Sequence, residues 1–321
     1  MPGDDKHGGV ASVFANAAET ARPAERTAAP LVTSCPACGA PQARPLDFRC
    51  GFCGASMAED GAAAERWSRW SAFTRNVVTR VDSLCAETFA GTRALVARGE
   101  TDPGVLLTAL GAVDTRVEGL LRKLDDVWSE QDLDAERGPA AERAAAERRA
   151  AERHVFESWT ACKVRCMGDF LRAAWPRVEI AMRAPVTCSR CGGGLTLPVR
   201  HRAVTAVCPF CGTANQCVPD ALVALWFHHA PASLALEQVL DQHLALIRAA
   251  TDIEAWQDAE YRRTGERPAE PEDSKLRREA MAEAYFRARI AVKARIAPMP
   301  RAEQDAELAR EMAGFRAALR R

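Results

Sequence analysis

No stretch of this 321-residue sequence is apolar for long enough to cross a bilayer. Its longest strongly apolar run, Ala221–Phe227, falls far short of the roughly 20 residues a spanning helix needs. The opening residues, "MPGDDKHGGVASVFANAAETARPAERTAAP", have neither the basic start nor the continuous apolar core of a secretory leader. Together these absences predict a soluble, cytoplasmic protein with no membrane partner. Net charge is missing as well. Lys plus Arg and Asp plus Glu number 43 each, which excludes a global electrostatic attraction to nucleic acid or lipid and leaves only local patches. Lysine is scarce and alanine abundant, a composition that suits a high-GC bacterial source. Catalytic signatures are also lacking: there is no phosphate-binding glycine loop, no G-x-S-x-G elbow, no H-E-x-x-H helix and no dinucleotide fingerprint. A non-enzymatic protein is therefore expected.

What the sequence does contain is helix. Residues 1–30 mix Gly, Ala, Pro and charges without period and read as a flexible tail. From 62 to 183 the spacing predicts a three-helix bundle. Trp67, Trp70, Val77, Val81 and Leu84 mark one amphipathic helix. After Thr101 or Asp102 as cap and Pro103 in the first turn, Leu106, Leu110, Val113, Val117, Leu120, Leu124 and Val127 alternate by four and three. That is the seam of a coiled coil or bundle, able to pack within the chain or to join two copies. A third helix follows Gly138-Pro139, with Pro176 as a kink or restart. Three passes would leave the two flanking cysteine segments at opposite ends of the bundle. The region 218–321 is helical again: a short segment Asp220–His229, a longer helix from Ser233 to a stop at Gly265, one from Ser274 to about Ile296, and a final charged helix. The fold class expected is mainly α, with two small β-hairpin modules inserted.

Those modules are set by cysteine. Cys35-x-x-Cys38 and Cys50-x-x-Cys53 frame residues 31–57; Cys188-x-x-Cys191 and Cys208-x-x-Cys211 frame 184–217. A C-x-x-C turn brings two sulfurs to one point and frees backbone N–H groups to bond them, and two such turns place four thiolates around a metal. Glycine follows every second cysteine, at Gly39, Gly54, Gly192 and Gly212, where a knuckle requires positive φ. Structural zinc fits this pattern; a rubredoxin-type iron or a redox C-x-x-C pair are the alternatives. In a reducing cytosol, twelve cysteines fit metal better than disulfides.

The words "CPACG", "CGFCG", "CSRCG" and "CPFCG" resemble the knuckles of zinc ribbons. The resemblance implies two structural zinc ions per chain, held by the eight cysteines just named, with "LTLPV" and "AVTAV" as the strands between the knuckles of the second module. Zinc ribbons serve transcription, translation, catalysis and scaffolding alike, so the resemblance fixes a cofactor and no activity. Four thiolates fill the coordination sphere, which argues against catalysis at the metal.

Between Arg183 and Pro219 lie Arg183, Arg190, Arg200 and Arg202 and no acid. Zinc with four thiolates carries a formal charge of about −2, which cancels half of that basicity. Arg200, His201 and Arg202 form a candidate partner contact at the tip of the second hairpin. The function expected is that of an adaptor or scaffold that binds protein partners. Nucleic-acid binding through Arg200 and Arg202, not favoured by the charge balance, and an accessory role in an enzyme complex are the alternatives. Elsewhere, Cys162 and Cys166, with His154 two turns earlier, read as core residues rather than ligands. Cys85 reads likewise as a core residue and Cys217 as a spare thiol near the second module, adjacent His228 and His229 diverge on a helix, and His243 falls in an apolar stripe.

Overall fold

A computed structural model describes residues 33–34, 39–42, 61–130 and 139–319. The protein is mainly α. Among the described residues the helices are α1 (Gly61–Ala97), α2 (Pro103–Glu130), α3 (Pro139–Arg183), α4 (Ala221–Gln238), α5 (Leu240–Thr264), α6 (Glu272–Ile296) and α7 (Arg301–Leu319). Among the described residues β structure is confined to three two-stranded antiparallel ladders: β1 (Thr33–Ser34) with β2 (Pro41–Gln42), β3 (Val186–Thr187) with β4 (Gly194–Leu195), and β5 (Val204–Val207) with β6 (Ala214–Cys217). No helix is long and apolar enough to cross a membrane among these residues.

The chain divides into two compact units, residues 1–87 with 111–159, and residues 88–110 with 160–321. In the first, aromatic side chains join the helices. Trp70, fully buried, meets Trp128 edge to face at 5.1 Å, and Arg148 lies over the Trp128 ring while bonding Asp125. Burying such rings contributes about 2–3 kcal/mol each. Ser71 donates to Glu147 at 2.6 Å and Trp159 Nε1 donates to Asp114 at 2.5 Å, whereas the buried Nε1 of Trp70 has no hydrogen-bond partner among the described residues.

The second unit begins with the last residues of α1, from Thr88, and the turn into α2. Gly99 takes φ 76° to end α1, and Asp102 Oδ1 accepts the Gly104 amide to start α2 behind Pro103. In α2 Leu106, Leu110, Val113, Val117 and Leu124 are each buried within the single chain. The α4–α7 region packs around Ala235, Val239, Ala282, Tyr285, Phe286, Val292 and Met312. Leu240 and Leu244 of α5 pack against Val164 of α3. Arg172 grips Glu237 through two bonds, beside Gly168, whose lack of a side chain makes room for that carboxylate.

Three local expectations change. The sequence suggests a break between His229 and Ser233, but α4 runs through Pro231 and ends at Val239, whose φ of −112° and ψ of 21° leave helical geometry. Proline costs α4 the bond from its missing N–H and a crowding of its ring against the carbonyl four residues back, about 3 kcal/mol in all, and the buried flank of Val223, Trp226, Ala230 and Ala235 outweighs it. The helix expected from Ser274 starts two residues earlier, α6 beginning at Glu272 after Pro271, and the Ser274 hydroxyl donates to Glu270. Finally, "LTLPV" and "AVTAV" do not pair with each other. Each knuckle pairs its own flanks, and only Leu195 of the first word lies in a strand.

Candidate metal centre

Cys188, Cys191, Cys208 and Cys211 converge. Their sulfurs all lie within 4.8 Å of one another. Cys188 to Cys211 is 3.7 Å and Cys191 to Cys208 is 3.6 Å. A regular tetrahedron with metal–sulfur arms of about 2.3 Å has edges of about 3.8 Å. The sulfurs are thus spaced for a common tetrahedral ion and are too far apart for a disulfide, whose bond is about 2.05 Å. Among the described residues this is the only group of three or more His, Cys, Asp or Glu side chains that could hold a metal ion.

Each half of the centre is a local product of its own sequence. Cys188 N–H donates to Gly193 C=O and Gly192 N–H to Cys188 C=O. Cys208 repeats the pattern with Thr213 and Gly212. Gly192 and Gly212 take φ 73° and 72°, the left-handed region that lets the chain turn back over the sulfurs. Thr187 pairs with Gly194 and Val207 with Ala214, so each hook is closed by a rung between the residue before its first cysteine and the residue six after that cysteine.

The two hooks are joined by a residue the sequence reading missed. Asn215, buried in β6, accepts the Ser189 amide at 2.9 Å and the Ser189 hydroxyl at 3.0 Å through Oδ1. Its Nδ2 donates to Thr213 C=O at 2.8 Å and to Cys188 Sγ at 3.5 Å. Only its alternation with buried Cys217 and exposed Gln216 hinted at an inward side chain.

The electrostatics suit a cation. Backbone N–H groups of Cys191 and Arg190 pull the Cys188 thiol down to about 6, and the Thr213 hydroxyl and amide lower Cys211. Cys191 also receives the Gly193 amide, yet the Cys211 and Cys208 sulfurs crowded beside it push it up to about 12. Four sulfurs this close cannot all ionise without a positive charge between them, and a divalent ion supplies it. The residues present therefore fit a metal ion with an all-sulfur donor set.

Cys35, Cys38, Cys50 and Cys53 lie outside the described residues. The described residues around the first of these hooks nevertheless repeat the same frame. Ser34 pairs with Pro41 and Thr33 with Gln42, the same offsets as in the other two knuckles, and Gly39 takes φ 75°.

The candidate contact at the hairpin tip divides in two. Arg200 Nη1 donates to the carbonyls of Met182 and Ala184, both at 2.6 Å. His201 stacks on Phe227, with ring centroids 4.5 Å apart and planes within 19°. Arg202 is exposed. The apolar groups presented by the four-cysteine module are Val207, Phe210 and Val218, each more than 60% exposed. The Phe210 ring lies across Gly193 so closely that a Cβ there would overlap it.

The remaining candidates have packing roles. Cys162 and Cys166 are buried, and Cys162 with Thr92 holds the Cys166 thiol below its usual value. Cys85 donates to Ser158 C=O, and Cys217 is buried in the small core beside the four sulfurs without joining them. His228 and His229 meet edge to face, and burial lowers His229. His243 lies against Tyr285, its basicity lowered by burial and by Arg289. Asp82, His154 and Ser158 form a cluster with the composition of a hydrolase triad, but both partners approach the same atom, His154 Nε2, at 2.7 and 3.3 Å. A proton relay needs the acid and the nucleophile on opposite ring nitrogens, and this cluster does not have that geometry.

Comparison with protein-family models, with curated proteins and with solved structures gives no match for this chain.

Proposed function

We propose that the chain is a non-enzymatic zinc-ribbon adaptor, in which two structural zinc ions stiffen small recognition modules carried on a helical framework. The observation that carries this reading is the closed set of four sulfurs, spaced for zinc and leaving no coordination position for a substrate. The shared register and positive-φ glycine at Gly39, Gly192 and Gly212 support a second ion at Cys35, Cys38, Cys50 and Cys53. The α2 seam is buried within the chain, which turns attention from self-association to other surfaces. Two of these are apolar: the ribbon face with Val207 and Phe210, and an open groove of about 410 Å³ between α5 and α6 lined by Ile253, Trp256 and Met281. Exposed apolar groups on a rigid support suit a protein partner.

A phosphate partner is less well served. Of the four arginines in the ribbon segment, Arg200 is committed to helix carbonyls and Arg183 to Glu179, leaving Arg190 and Arg202 beside a metal-thiolate group of formal charge about −2. The test is direct. Metal analysis of reduced, chelator-free protein should give two zinc per chain. Binding to duplex DNA or to single-stranded RNA at low salt should be absent, and retention on either with a steep salt dependence would replace the adaptor reading with a nucleic-acid one.

A further inference from the structure

The apolar core of the second ribbon is unusually small and is built largely from cysteine. Its buried members are Cys188, Leu195, Ala206, Cys208 and Cys217, with Val186, Leu197, Val204 and Cys211 packed against them. Two aliphatic residues and three thiols cannot hold a module of this length by burial alone, so its order depends on the ion bound by the four sulfurs. The loop between β4 and β5 hangs from this core by Leu197 on one side and Val204 on the other.

That loop also grips the helices. The last carbonyls of any α-helix lack intrahelical donors. At the end of α3 the Arg200 guanidinium supplies one to Met182 in the last turn and donates as well to Ala184, the residue just past the helix. One residue on, the His201 ring covers Phe227 of α4. Phe227 touches Trp226, and the Trp226 ring lies tilted against Trp175 of α3, with centroids 4.7 Å apart. The Trp226 indole N–H reaches the Leu171 carbonyl at 2.9 Å, next to the point where Pro176 withholds a donor from the helix ladder. A continuous run of contacts thus leads from the sulfur cluster through Leu197, Arg200 and His201 to both helices.

We infer that Arg200 and His201 form a metal-dependent clasp, which fixes the end of α3 against the first turns of α4 only while the four-cysteine site holds its ion. This inference rests on the zinc reading of the site. It makes the second ribbon a device that reports the supply of a soft divalent cation to the helices, besides being a platform. Arg200 and His201 are positioning residues in it and do not touch the metal site.

Hydrogen exchange followed by mass spectrometry on the full chain tests the clasp, with metal content measured on the same samples. In Cys191→Ser, which removes a ligand of the second site alone, amides in 178–184 and 221–229 should exchange at least about tenfold faster, the factor expected for losing one bond to a charged group. Arg200→Ala should reproduce the faster exchange in 178–184 with full metal content. Arg202→Ala should match the parent. Segments 61–87 and 282–312 serve as references and should not change. The clasp is overturned if Arg200→Ala keeps its metal and leaves 178–184 unchanged, or if Cys191→Ser leaves it unchanged. It is also overturned if Cys191→Ser accelerates 282–312 equally, since the ribbon would then stabilise the whole unit. Parent protein that binds no metal would overturn the zinc reading, and the clasp with it.

Discussion

The side-chain amide of Asn215 donates to the sulfur of Cys188 at 3.5 Å while its carbonyl accepts the amide and hydroxyl of Ser189. One residue of the second hook thereby holds the first hook in place and bonds one of the four sulfurs. Partners of this kind tune metal affinity by about 10–100-fold. Asn215→Ala should therefore weaken zinc binding by that factor, measured by competition with a chromophoric chelator, while leaving the number of ions bound unchanged.

Metal count separates the two cysteine segments. Cys35→Ser should lower zinc from two ions per chain to one, as should Cys208→Ser. Cys217→Ser should lower nothing, because Cys217 packs in the ribbon core outside the group of four. Elemental analysis of the three variants checks this.

Gly193 has a steric role. A methyl group there would collide with the Phe210 ring, so Gly193→Ala should cost the ribbon roughly 1–3 kcal/mol and displace the ring. In Phe210→Ala the same substitution should cost much less. A double-mutant cycle on metal-loaded protein measures the difference.

Acid should weaken the second unit. Burial and then the Arg289 charge hold His243 below its usual value, and burial does the same for His201 and His229. Each therefore binds a proton less readily in the folded protein than in the unfolded chain. Their contribution is whole above the unfolded value of about 6.5 and is lost as pH falls through and below it. Arg289 is itself paired with Glu311 and lies over Tyr285 and Phe286, so it cannot move away to relieve a protonated His243. Urea unfolding at pH 7.5 and 5.5 should show a smaller loss for His243→Gln than for the parent protein.

The hooks were legible in the sequence because their determinants are local: ligands three apart, a glycine next, and a rung six residues on. Helix identity was legible for the same reason, from the spacing of Trp70, Val77, Val81 and Leu84. What distant residues decide was not legible. Pro231 reads as a helix end until the burial of Trp226 and Ala235 on either side of it is known. "LTLPV" reads as a strand until each knuckle is seen to close on its own flanks. Arg200 reads as a free cation because nothing in its neighbourhood announces that the carbonyls of α3 stand within reach. Asn215 carried only a parity signal, and its partners lie in the other hook.

The closure of each hook by a rung between neighbouring residues has a consequence for biosynthesis. Residues 186–195 carry the backbone bonds that bend Cys188 towards Cys191, and they leave the ribosome before Cys208 and Asn215 have emerged to hold that bend. Closing a loop this short takes on the order of 10–100 ns, whereas elongation proceeds at about 5–20 residues per second. The first turn can thus be sampled many times on the nascent chain, and it is held only when Asn215 and the second pair of sulfurs arrive.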